Sequence, residues 1–133
     1  MQNARSYGIA LVCLLIGALV YIACRIDILF VQYLHLPALP APTWNTDHPL
    51  VYWIVFCLPD GLWYFALLLV QYKFLQRDSS ISRLCACTAV LLPFALEMLQ
   101  ALGCLRGTFD WYDIITYLFT LILFVLCVKK DFC

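Results

Sequence analysis

Residues 97–113 read EMLQALGCLRGTFDWYD, and they decide how we expect the chain to fold. One apolar stretch ends in the first half of this segment, a glycine-containing turn follows, and a second apolar stretch starts after Asp110. Ionisable residues gather here in a chain that is 65% hydrophobic and only 12% charged. Soluble domains carry about 25% charged residues, so the bilayer is the expected solvent of this protein. The segment therefore predicts a turn between two membrane-spanning helices, with a polar site beside it.

The composition of the 133 residues limits the classes of function. The formal net charge is zero, so a basic face for nucleic acid is not indicated and we expect no nucleic-acid partner. The chain contains neither internal repeats nor low-complexity tracts, which predicts a single transmembrane domain over residues 1–133.

The hydrophobic runs predict an all-α fold, an integral-membrane four-helix bundle. The expected helices cover residues 7–24, 50–75, 84–102 and 110–128. Residues 25–49 hold four prolines and predict an outer loop with an interfacial segment. Pro59 and Gly61 lie inside the second run, where they predict a kinked or broken helix with Asp60 as the cap of its second part.

The lysines and arginines are distributed unevenly between the two ends of the predicted bundle. Six of the eight lie at the termini or in the polar turn after the second helix, namely Arg5, Lys73, Arg77, Arg83, Lys129 and Lys130. The other two, Arg25 and Arg106, lie at the opposite end. Positively charged loops remain in the cytoplasm, so we expect both termini to be cytoplasmic.

Three carboxylates fall at nearly one depth in this arrangement. A helix rises 1.5 Å per residue, which places Asp60, Glu97 and Asp113 roughly 20–24 Å from the inner ends of their helices. In a hydrocarbon core ~30 Å thick, all three lie in the outer third. An ionisable group in the membrane costs ~2.5–3.5 kcal/mol or more, so it indicates a functional site by default.

Helical spacing turns these acids toward the inside of the bundle. Glu97 and Gln100 share one face of their helix, and Asp113 begins a polar stripe that continues to Thr120. The ligand-binding site that we predict consists of Glu97, Gln100, Arg106, Asp113 and Asp60, with Asp110 and Tyr117 as secondary members.

Simpler interpretations of the same residues stay open. Asp110 and Asp113 could cap the fourth helix and complement its dipole. Arg106 could serve only as an ion-pair partner, and Glu97 only as a hydrogen-bonded structural acid. His35 and His48 lie in loops without metal-ligand spacing, so we assign no metal, no cofactor and no catalytic residue.

Eight cysteines are present, and most lie in apolar runs. There a cysteine acts as a small apolar side chain. Cys57 and Cys104 are both expected toward the outer side and could form a disulfide, although sequence alone does not fix connectivity.

The arrangement of Glu97, Gln100, Arg106 and Asp113 resembles the pattern of the VanZ-like family of small bacterial membrane proteins. The resemblance covers residues 90–125. The family continues with an asparagine and a glycine where this chain has Tyr117 and Thr120. It implies a multi-pass protein of the bacterial inner (cytoplasmic) membrane with a role at the cell envelope. The founding member is associated with low-level teicoplanin resistance, so the resemblance implies a link to antibiotic resistance, but not catalysis.

Three functions are compatible with these residues. The first is an outward-facing polar site that binds a lipid headgroup, a lipid-linked precursor or a glycopeptide-type amphiphile, with Arg106 holding a phosphate or carboxylate. The second is a membrane enzyme acting on an amphiphilic substrate, which is less favoured because no nucleophile stands beside a base in a recognisable motif. The third is a small proton-coupled transporter, for which four spans would call for a homodimer.

Overall fold

The computed structural model describes residues 2–24, 47–75, 79–105 and 107–130. Arg106 and most of the expected interfacial segment lie outside these ranges. Within them every regular element is helical, which confirms the predicted all-α fold. The first helix, α1, is Gln2–Cys24, the third, α3, is Ser80–Ala101, and the fourth, α4, is Trp111–Lys130.

The second helix, α2, occupies residues 49–75 in three consecutive parts. An α-helical turn, Pro49–Tyr52, leads into a π-helical stretch, Trp53–Cys57, and the α-helix Leu58–Leu75 completes it. The expected break at Pro59 is absent, and no kink is shown there. The ring of a proline clashes with the carbonyl four residues earlier in a regular helix, and the wider π turn before Pro59 relieves that contact. Asp60 consequently lies within the continuous helix α2, in the first turn of its part Leu58–Leu75, instead of capping a new helix.

Helix α2 lies at the centre of the arrangement. It contacts α1, α3 and α4, whereas the described part of α1 contacts no helix other than α2. Because α1 and α4 do not touch, a cavity of about 270 Å³ separates them along α2. All four helices are long and apolar enough to cross a membrane.

The contact between α1 and α2 is built on a glycine. A Cβ at Gly17 would lie 2.5 Å from Nε1 of Trp63 and 3.3 Å from the carbonyl oxygen of Pro59. The missing side chain lets the Trp63 ring lie against the backbone of α1, where it also stacks on Tyr21 with ring centroids 5.9 Å apart. Small residues permit this kind of close approach between helices in membranes.

An aromatic core joins α2 to α3 and α4. Tyr64 and Tyr117 are buried, and each packs edge-on against the other and against Phe94. The Tyr64 hydroxyl donates a hydrogen bond of 3.0 Å to the carbonyl of Val90. Pro93, inside α3, has no N–H to donate to the carbonyl of the residue that precedes Val90. The bond from Tyr64 therefore adds a donor from α2 next to the point where the backbone hydrogen bonds of α3 are interrupted.

Candidate functional site

Glu97 is the only glutamate of the chain, and its side chain is 5% exposed near the end of α3. Its Oε2 accepts a hydrogen bond of 3.5 Å from the backbone N–H of Asp110, the residue just before α4. Buried acids need donors of this kind, because an unpaired charge in a low-dielectric interior is costly. Glu97 therefore joins the end of α3 to the start of α4 beneath the turn that connects them.

Asp110 caps α4, as one of its two interpretations predicted. Its Oδ1 accepts a hydrogen bond of 2.9 Å from the backbone N–H of Tyr112, the typical contact of an N-cap carboxylate. Its Oδ2 accepts a second bond, 2.5 Å long, from the hydroxyl of Tyr52. Asp110 thus caps α4 at the end of the α3–α4 turn, and it also holds the first turn of α2 against the start of α4.

Tyr52 is a residue that the sequence analysis missed. Its ring packs between Phe56, at a centroid distance of 4.8 Å, and Tyr112, at 5.7 Å. This packing aims its hydroxyl at Asp110. No sequence signal connects a tyrosine to an aspartate 58 positions later, since only the packing of α2 on α4 brings them together.

The polar stripe of α4 faces inward, as its spacing predicted. Thr116, Tyr117 and Thr120 are all buried. The Thr116 hydroxyl accepts a bond of 2.8 Å from the indole N–H of Trp53 and donates one of 2.7 Å to the carbonyl of Tyr112. The close approach of α2 depends on Gly61, where a Cβ would lie 2.7 Å from the methyl group of Thr116.

Asp113, which begins this stripe, lies beside the thiol of Cys57, within hydrogen-bonding reach. Cys57 is completely buried. Its position three residues before Asp60 puts both on one side of α2, so helical spacing could have identified it. Cys57 and Cys104, for which a disulfide was left open, are both free, and Cys104 is exposed.

Asp60 lies in a groove between α2 and α3 with a volume of about 190 Å³. Tyr64 and Tyr117 form its inner wall, and three more exposed side chains border it, namely Trp63 (42% exposed), Leu92 (44%) and Leu96 (41%). The groove therefore opens sideways, onto the surface that a membrane would cover. It brings a carboxylate next to apolar and aromatic walls.

The four acids at this end of the bundle are electrostatic neighbours. Asp60, Asp110 and Asp113 each lie close enough to Glu97 for a direct charge interaction. Tyr117 lies within range of Asp60, Asp113 and Glu97. Among the described residues, no three histidine, cysteine or acidic side chains are placed to hold one metal ion.

Gln100 lies in the last turn of α3 and contacts the turn between α3 and α4. The helix ends in a Schellman motif, in which Gly103 at φ +70° donates to the carbonyl of Gln100 and Cys104 donates to that of Leu99. The Gln100 side chain then packs against Gly107, whose φ of +144° favours glycine. A Cβ at Gly107 would lie 2.8 Å from the Gln100 amide. Arg106, between these glycines, is outside the described residues.

His48, expected as a solvated loop residue, is exposed but also has a structural role. Its Nδ1 accepts a hydrogen bond of 3.3 Å from the backbone N–H of Leu50 and so caps the start of α2.

Comparison with known protein families, with characterised proteins and with solved structures finds no match to this chain.

Proposed function

We propose that this protein is a VanZ-like multi-pass protein of the bacterial inner membrane that binds the headgroup of an amphiphile at its polar end. The burial of Glu97 at membrane depth carries the proposal. Three helices bring Asp60, Asp110 and Asp113 within electrostatic range of it. A chain that needed only to span the membrane has no use for Asp60 and Asp113 beside Glu97, since each acid is costly there.

The groove beside Asp60 supports binding of an amphiphile in preference to a water-soluble molecule. Its border is formed by exposed apolar and aromatic side chains, so a ligand can enter from the side. A headgroup at Asp60 would then leave its hydrocarbon part against Leu67 and Leu92, still in an apolar environment. Arg106, in the turn next to this end, would pair with a phosphate or carboxylate of the same ligand.

The orientation belongs to the same proposal. With six of the eight lysines and arginines at the other end, the polar site would face the outer leaflet and both termini the cytoplasm. At this position the protein would act on lipids, lipid-linked precursors or amphiphilic antibiotics at the cell envelope.

The test removes the charge of Glu97 and leaves its shape. Host cells that produce Glu97→Gln are compared with cells that produce wild type or Asp47→Asn, an exposed acid just before α2. We expect the Gln variant alone to change sensitivity to glycopeptides or detergents, and the purified protein to lose co-purifying amphiphiles detected by mass spectrometry. Unchanged sensitivity and unchanged lipid content in a folded Glu97→Gln protein would overturn the proposal.

A further inference from the structure

The groove between α2 and α3 has two chemically different parts. Near its polar end Asp60 shares the lining with the rings of Trp63, Tyr64 and Tyr117. Leu67 lies about two helical turns beyond Asp60 along α2, and Leu67 and Leu92 form an aliphatic wall in that direction, whereas Leu96 lies beside Glu97 at the level of Asp60. A ligand that fills this groove therefore carries a head that suits an acid among aromatic rings and a tail that suits leucines.

The charge of the polar end selects a cation. Asp60 contributes a carboxylate, and Glu97 lies close enough to interact with Tyr117 on the inner wall. Of the described residues that line the groove, none is lysine, arginine or histidine. An anionic head would meet acids alone there, whereas a cationic head would be attracted by them.

The geometry favours an organic cation over a metal ion. A metal needs several ligands at about 2.0–2.6 Å, and no group of three suitable side chains in the described ranges meets this requirement. An ammonium group instead interacts with ring faces up to about 6 Å from the centroid, and most strongly with tryptophan. Trp63 stacks on Tyr21 and is still 42% exposed, so part of its ring surface remains accessible from the groove.

We propose that this groove binds the ammonium head of an alkyl amphiphile. Asp60 is the counter-ion, Trp63 and Tyr117 contact the ammonium group, and Leu67 and Leu92 contact the alkyl chain. The inference rests on the proposed function and specifies the part of the headgroup that lies at Asp60, while any phosphate or carboxylate of the same ligand would lie at Arg106.

The experiment compares two probes with the same twelve-carbon chain. Purified protein in neutral maltoside micelles is titrated with dodecyltrimethylammonium and, separately, with dodecyl sulfate, and binding is followed by thermal stability and tryptophan fluorescence. We expect the ammonium probe to bind more tightly, by at least about tenfold. Asp60→Asn should abolish that preference, whereas Asp47→Asn should keep it.

A second variant keeps the test decisive if Asp60→Asn does not fold. Leu92→Trp adds a ring at the exposed border of the groove, away from the core, and should block the ammonium probe in a protein of wild-type stability. Equal binding of both probes, or tighter binding of the sulfate, would overturn the ammonium assignment. If the wild-type protein binds the probes in this way and Glu97→Gln does not bind them, the proposed function is still supported. If neither probe binds, both proposals fail.

Discussion

Single side chains connect the polar end of this protein through three helices. Glu97 of α3 accepts from the backbone at Asp110, and Asp110 accepts from Tyr52 of α2 while it caps α4. Asp110, which caps α4, is therefore hydrogen-bonded to both α2 and α3. Removal of one of these hydrogen-bond donors should therefore weaken the packing of all three helices.

The hydroxyl of Tyr52 is the most direct test of this connection. Tyr52→Phe keeps the ring between Phe56 and Tyr112 but deletes the donor to Asp110. We expect a loss of about 0.5–3 kcal/mol in the free energy of unfolding, the range for hydrogen bonds to neutral and charged acceptors. Denaturation in detergent measures the loss, with Tyr7→Phe on the exposed face of α1 as the control. Equal stability of both variants would contradict a shared role for Asp110.

At the residue scale, the sequence predicts the depth of the acids but not every contact that they make. Glu97, Asp60 and Asp113 could be placed together because helical rise alone determines their depth. Tyr52 could not, because its contact with Asp110 depends on how two distant helices pack. The π-helical stretch before Pro59 was also beyond prediction, since the proline and glycine that weaken a helix do not specify whether it breaks or widens.

At the scale of helices, two glycines determine how closely α2 approaches its neighbours. Gly17 admits the Trp63 ring on one side, and Gly61 admits Thr116 on the other. The hydrophobic pattern identified the four helices and the inward face of α4. It did not place α2 at the centre, because all four spans are similarly apolar and only their packing distinguishes them.

The α1–α2 contact can be tested with a matched pair of glycines in one helix. Gly17→Ala puts a methyl group where the Trp63 ring lies, and overpacking of this kind costs about 1–3 kcal/mol. Gly8→Ala meets nothing within 4 Å and should stabilise α1 by about 0.5–1 kcal/mol through helix propensity alone. Thermal unfolding of the two variants should therefore shift in opposite directions, and a shift in the same direction would refute the close contact.

The contact between α2 and α4 can be tested with two substitutions, the second of which should compensate for the first. Gly61→Ala should destabilise the protein because its new methyl group meets the Thr116 methyl at 2.7 Å. Thr116→Ser removes that methyl and keeps the hydroxyl that bonds Trp53. We expect the double variant to be more stable than Gly61→Ala alone, as a double-mutant cycle would measure. Strict additivity of the two changes would show that these groups do not touch.

For the whole molecule, the number of spans fixes the relation between the polar turn and the termini. If all four helices cross the membrane, the α3–α4 turn lies on the side opposite both ends of the chain. Two cysteines report on this arrangement, the exposed Cys104 in the turn and Cys133 at the C-terminus.

A membrane-impermeant maleimide applied to intact cells should label Cys104 and not Cys133, and permeabilised cells should label both. Mass spectrometry of the labelled peptides distinguishes the sites, and the fully buried Cys57 should stay unlabelled in either case. Labelling of Cys133 alone in intact cells would reverse the proposed orientation. Labelling of both would mean that α4 does not cross the membrane.

The isolation of α1 from α3 and α4 has a consequence for how the protein is made. Residues 2–24 are synthesised before the other three helices, and α2, the one helix that the described part of α1 contacts, follows only after another 24 residues have been added. During that interval α1 must remain in the lipid by its own apolar character, and it is the most apolar of the four spans. Each later helix is synthesised when an earlier helix is already present to pack against. This lets the later helices contain acids and prolines, which are unfavourable in a helix that is inserted alone.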